Sequence, residues 1–156
     1  MHRAQKCVRL LKSKGLTVAA AESCTGGYAS YLLTSIPGSS KVFKGSLVVY
    51  SLQAKRSLLG LKQRLLDKTQ GVSKDTARRL ADSVRKKLRA DIGAAVVGFA
   101  GPSSFKGIKP GTVFLCAADK RGMTCKKVIV KGNRSAVRKK ASFLLIEMIE
   151  KRAREL

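Results

Sequence analysis

The sequence predicts a three-layer α/β/α sandwich around a mixed, mostly parallel sheet of about five strands, and three observations carry that reading. Apolar runs of strand length alternate with segments whose apolar residues recur at helical spacing. Two runs near the C-terminus are joined by a very short connection, which makes them an antiparallel pair within an otherwise parallel sheet. The 156 residues suffice for one buried core, and no repeat, low-complexity tract or linker divides them, so residues 1–156 are read as a single domain.

Ala4, Cys7, Val8 and Leu11 share one face of an opening helix that stops at Gly15. Thr17 to Ala21 is a short buried strand, and a helix from about Gly26 to Thr34 ends before the Pro37-Gly38 turn signal. Val42 to Tyr50 carries β-branched and aromatic residues and reads as a second strand, with Gly45 marking a bulge or a close approach. Ser51 to Leu59 is a short helix closed by Gly60. Ser73 caps the next helix, Asp75 sits in its first turn, and Ala77, Leu80, Ala81, Val84 and Leu88 form its apolar face. Ile92 to Ala100 is a strand that breaks at Gly101-Pro102, and residues 101–111 form a loop rich in Gly and Pro. Thr112 to Ala118 and Thr124 to Val130 pair as a hairpin around Arg121-Gly122. The last helix spans about Ser135 to Arg154 and turns Val137, Ala141, Leu144, Leu145 and Met148 inward.

Thirty-three Lys and Arg oppose nine Asp and Glu, a formal charge of +24 that attracts nucleotides and polyanions but carries no information about fold. The four cysteines, Cys7, Cys24, Cys116 and Cys125, lack CxxC spacing, and with His2 they make no zinc set. No metal is therefore expected, and free thiols in a reducing compartment are the simpler reading. No apolar stretch approaches the length of a membrane span, and residues 1–15 are too charged for a signal segment, so a soluble cytoplasmic protein is expected.

Strand ends gather at one edge of such a sheet, so Glu22 to Gly27, Tyr50 to Lys55 and Gly98 to Pro102 are expected to share a site. In the first segment a Gly pair lets backbone approach a ligand, a helix start aims unpaired N–H groups at it, and Ser23 and Thr25 add hydroxyls. A serine attacks only if something takes its proton, and His2 is badly placed for that. Lys55, adjacent to Arg56, is the available base, because burial near cations lowers a lysine's pKa. Ser23, Lys55 and oxyanion donors from the Gly26-Gly27 turn would make an acyl-transfer site. Plainer readings stand beside this one: Ser23 and Thr25 as helix caps, Lys55 as a solvated helix residue, Tyr50 as a packing residue, and Gly98 and Gly101 as turn formers. Cys24 ranks below Ser23 as a nucleophile because no partner base is evident.

Taken together, these segments resemble the C-terminal domain of the competence/damage-inducible CinA family, also found as stand-alone nicotinamide mononucleotide deamidases. The matching motifs begin with Ala21 to Gly27, Leu33-Thr34 with Pro37 to Ser40, Tyr50-Ser51 with Ala54-Lys55, and Leu58 to Gly60. They continue with Val72-Ser73, Gly98 to Pro102, Lys109 to Val113, and Gly132 with Arg134, Val137 and Arg138, in order over nearly the whole chain. The resemblance implies an amidohydrolase that converts nicotinamide mononucleotide to nicotinate mononucleotide and ammonia by a metal-independent serine mechanism. It further implies no cofactor and a homo-oligomer. By motif position Ser23 attacks the amide, Lys55 and Tyr50 handle its proton, and Glu22, Thr25, Gly26, Gly27, Gly98, Ala100 and Gly101 lie against the substrate. Arg134 and Arg138 would pair with its phosphate.

The chain departs from the family pattern at several places. Val97 stands where a Thr or Ser is usual, Leu52-Gln53 replaces Asn-Glu, Ser46 replaces a Gly, Asn133 replaces an Asp, and the Lys109 to Val113 element is shortened. Losing one transition-state hydrogen-bond donor costs roughly two to three orders of magnitude in rate, so slowed, altered or lost turnover is the alternative. A module binding nucleotide or nucleic acid through its basic surface is the corresponding second reading. Nucleic acid is not favoured, because the three Tyr and five Phe do not interleave with the basic groups as stacking platforms would.

Overall fold

Alternation of buried residues between two helical layers organises residues 2–156, which the computed structural model describes. The elements are α1 (His2–Ser13), β1 (Val18–Glu22), α2 (Tyr28–Thr34), a 3-10 turn (Ser39–Lys41), β2 (Phe43–Val48) and α3 (Leu52–Leu59). They continue with α4 (Gln63–Thr69), α5 (Lys74–Lys87), β3 (Ile92–Gly98), β4 (Thr112–Ala118), β5 (Met123–Ile129) and α6 (Arg134–Glu155). The five strands lie in the order β2-β1-β3-β4-β5. β1 runs parallel to both β2 and β3, whereas β3–β4 and β4–β5 are antiparallel, so β4 alone opposes the direction of the other four.

All five residues of β1 are buried, as expected for a central parallel strand covered on both faces. Successive residues of the central strands serve opposite layers. Val18, Ala94 and Val96 pack with Val8, Leu11, Leu33, Leu145 and Ile149 of α1, α2 and α6. Ala19, Ala95 and Val97 pack with Leu59, Leu66, Leu80 and Val84 of α3, α4 and α5. Val97, the position of a missing hydroxyl, is therefore a core residue beneath α5. The bulge expected at Gly45 is present as a register jump, with Val18 opposite Phe43 and Ala19 opposite Gly45. Caps fix the helix starts: the Ser51 and Ser73 hydroxyls accept from the N–H groups of Ala54 and Thr76.

Two expectations require correction. The segment between α3 and α5 contains α4, whose only buried residue is Leu66 and whose N-cap, Lys62, offers no side-chain bond, so neither periodicity nor a capping signal announces it. The four cysteines are not all free: Cys116 and Cys125 face each other across β4 and β5, with Cα atoms 4.1 Å apart, and form a disulfide. Cross-strand register creates that pairing, and spacing along the chain does not disclose it. Cys7 and Cys24 are free and buried. Among the described residues no helix is long and apolar enough to cross a membrane.

Candidate active site

Sheet pairing brings two distant segments together at the carboxyl edge of β1 and β2. The Ser23 N–H bonds the Val96 carbonyl at 3.0 Å, tying the turn after β1 to β3, and the Val49 N–H bonds the Glu22 carbonyl at 2.8 Å, tying the end of β2 to β1. Lys55, in the first turns of α3, reaches back into the space these bonds define. Its Nζ donates to the Ser23 Oγ at 3.0 Å and to the Val49 carbonyl at 2.8 Å. Lys55 is only 2% exposed, no salt bridge involves it among the described residues, and burial pushes its pKa down to about 8. An amine with that pKa is part neutral near physiological pH, and the neutral form can accept the Ser23 proton across the same contact.

Glu22 lies one residue from Ser23 and is fully buried. Its carboxylate accepts the N–H groups of Gly27 and Ala29 at 3.1 Å each and of Ser30 at 2.8 Å, together with the Ser30 hydroxyl. Ser30 Oγ in turn lies 2.7 Å from Ser46 Oγ, so the serine at the departing position closes a partly buried polar chain. Glu22 is thus the cap of the Ser23–Gly27 turn, and the expectation that it binds substrate is corrected. The Gly26-Gly27 amides are likewise not free oxyanion donors, because Gly26 N–H bonds the Ser23 carbonyl at 3.0 Å and Gly27 N–H is held by Glu22. The amides of Cys24 and Thr25 donate to no backbone carbonyl or side-chain oxygen among the described residues. Gly26 has φ of 61°, and a Cβ there would lie 3.1 Å from Arg138 Nη2, so turn geometry accounts for this glycine.

A cavity of about 300 Å³ opens over this pair. Of the residues expected from sequence, Ser23, Tyr50, Lys55, Gly98, Ala100, Gly101 and Arg134 line it. Glu22, Thr25, Gly26, Gly27 and Arg138 do not. Arg138 Nη2 donates to the Thr25 carbonyl at 3.0 Å and so clamps the turn from the α6 side. Tyr50 is 59% exposed at the lip, where its hydroxyl accepts from Arg134 Nη2 at 2.6 Å. Arg134 Nη1 also donates to the Gly101 carbonyl at 2.7 Å, joining two of the three site segments. The phenol bonds neither Ser23 nor Lys55 and faces the same cavity as both.

Cys24, Phe99 and Pro102, which lie within the expected segments, and Gln70, Val72 and Ser103, which lie outside them, complete the wall. Burial pushes the Cys24 thiol up to about 12, so Cys24 carries no thiolate near neutrality and Ser23 is the better nucleophile of the two.

The fold and this edge define an α/β domain with a buried serine–lysine pair at the carboxyl ends of its parallel strands. The family described as CinA C-terminal domain matches residues 1–153, and the chain belongs to that family. A CinA-like protein of Thermotoga neapolitana is 38% identical over 149 residues, covering 95% of this chain and 36% of that protein. The chain spans about a third of the length of the curated relatives it matches. The crystal structure of competence/damage inducible protein CihA from Agrobacterium tumefaciens is similar with a TM-score of 0.90 at 32% identity, covering 95% of this chain and 92% of that one. The competence or damage-inducible protein from Enterobacter asburiae gives 0.92 at 29% identity, with 97% and 96% covered.

Proposed function

We propose that this chain hydrolyses the carboxamide of nicotinamide mononucleotide to the carboxylate and ammonia, with Ser23 as nucleophile and Lys55 as its base. The observation that carries the reading is the 3.0 Å contact between the Ser23 hydroxyl and a buried amine with no carboxylate partner. Neutral Lys55 takes the Ser23 proton as Oγ attacks the amide carbon, and the developing oxyanion forms beside the turn that follows Ser23. The Lys55 ammonium then protonates the departing nitrogen, and ammonia leaves an ester on Ser23. Water, deprotonated by the regenerated amine, cleaves that ester and restores the hydroxyl, so the sum is amide plus water to acid plus ammonia. Arg134 at the lip offers a cation for the phosphate. The mononucleotide itself is chosen on the family resemblance.

The base role fixes a pH dependence. Catalysis needs Lys55 neutral, and with a pKa of about 8 only about a tenth of it is neutral at pH 7. Below about 8 the value of kcat/KM for ammonia release is therefore expected to climb nearly tenfold per pH unit, and above it to level off. A profile flat from pH 6 to 8 is incompatible with Lys55 as the base.

The charge favours a second reading, a nucleotide- or nucleic-acid-binding module without turnover. Of the nine carboxylates, Glu22 is buried, and Asp75, Asp82, Asp119, Glu147, Glu150 and Glu155 are ion-paired, so the surface carries mainly uncompensated cations. Tight, steeply salt-dependent binding of a duplex or single strand with no ammonia release would establish that reading in place of the enzyme.

A further inference from the structure

We infer that Gln70 is a specificity-determining residue of this cavity that hydrogen-bonds the ribose of the nucleotide whose carboxamide meets Ser23, an inference that rests on the function proposed above. The observation behind it is backbone geometry. α4 ends at Gln70 with φ 50° and ψ 33°, the left-handed region that a β-carbon disfavours. α3 ends with the same geometry at Gly60, φ 69° and ψ 23°, where no β-carbon is present. Two neighbouring helices thus meet one steric requirement, one with the residue that suits it and the other with a residue that does not.

Nothing inside the protein offsets that choice. The Gln70 side chain is exposed, makes no hydrogen bond among the described residues and lines the cavity that holds Ser23 and Lys55. The turn beneath it is well anchored: the Gly71 N–H bonds the Leu66 carbonyl at 2.9 Å, and a Cβ on Gly71 would lie 3.1 Å from Lys55 Cδ. The residue next to the strained one is therefore packed against the stem of the proposed base, and Gln70 itself lines the cavity above that base.

Position and chemistry select the ribose as its partner. Ser23 is 6% exposed at the floor, so the reacting carbonyl goes deep and the sugar and phosphate extend toward the lip. Arg134 there suits an anion, whereas a neutral amide that both donates and accepts suits vicinal hydroxyls, which do the same.

Gln70→Gly separates function from structure, because relief of the left-handed strain opposes loss of the amide. The variant is expected to melt roughly 2–4 °C higher than the wild type. Its KM for nicotinamide mononucleotide is expected to be about tenfold higher with kcat within about twofold. Gln70→Ala, which keeps the β-carbon, is expected to show the same KM without the gain in melting temperature. Arg89 supplies the control: it has φ 50° after α5 and does not line the cavity, so Arg89→Gly is expected to melt higher with KM unchanged. Wild-type KM in both Gln70 variants would overturn the inference. If the wild type releases no ammonia, the proposed function fails, and calorimetric titration with nicotinate mononucleotide decides Gln70 separately. About tenfold weaker binding by both variants supports it; equal affinity, or no binding by the wild type, overturns it.

Discussion

Lys55→Met is expected to abolish ammonia release from nicotinamide mononucleotide, by roughly four orders of magnitude, while making the protein more stable. Both effects have one cause. A lysine pKa depressed from 10.5 to about 8 means that the buried charge costs the fold about 3 kcal/mol below pH 8. The sign follows from proton counting. Between about 8 and 10.5 the unfolded chain still holds a proton that the folded chain has released, so wild-type stability rises with pH across that window. Below it both states are protonated and the penalty is constant.

Methionine fills the same volume without the charge, at the loss of the hydrogen bond to the buried Val49 carbonyl, worth about 1–2 kcal/mol. The balance is a gain of about 1–2 kcal/mol, or a melting temperature higher by roughly 2–8 °C near pH 7. Scanning calorimetry at pH 7 and pH 10 measures this directly: the wild type should gain on the variant as the pH rises. A variant that is both active and less stable would contradict the placement of the amine and its role together.

Glu22→Ala carries the second large effect, and it falls on the fold. The substitution leaves the Gly27, Ala29 and Ser30 N–H groups and the Ser30 hydroxyl without their acceptor in a region where Glu22 itself is inaccessible to water. Each unsatisfied buried donor costs about 1–3 kcal/mol, partly recovered where water enters, so a loss of about 3–5 kcal/mol is expected. Urea unfolding reports it as a lower midpoint at an unchanged slope. Glu22→Gln, which keeps one carbonyl acceptor, should fall between. A loss below about 1 kcal/mol in Glu22→Ala would show that the turn is held by other contacts.

These two residues also mark how far the sequence could be read. Lys55 could be singled out in the sequence because it follows Ser51 by four residues and no histidine is placed to serve as a base, but its burial against Ser23 appears only in the packed chain. Three layers followed from apolar runs such as those of β1 and β3, which alternate with the amphipathic face of α5. Glu22 was misread because a polar residue at the end of a strand looks the same on paper whether it faces a ligand or its own backbone. Burial decides between those, and burial is a property of the packed chain. Arg138 was misread similarly: helix position brings it near the turn, but only tertiary packing sends its guanidinium to the Thr25 carbonyl. α4 escaped notice because a seven-residue helix attached through the adjacent Leu65 and Leu66 leaves no periodic trace, and Gln70 was hidden with it. The Cys116–Cys125 bond depends on strand register, which local patterns do not encode.

The most direct test of the serine–lysine account is ammonia release from nicotinamide mononucleotide by the wild type and by Ser23→Ala, with circular dichroism to show that the two share a fold. The account predicts measurable turnover in the wild type and a loss of at least roughly a thousandfold in the variant, with Cys24 unable to substitute. Turnover in Ser23→Ala within about tenfold of the wild type would contradict it.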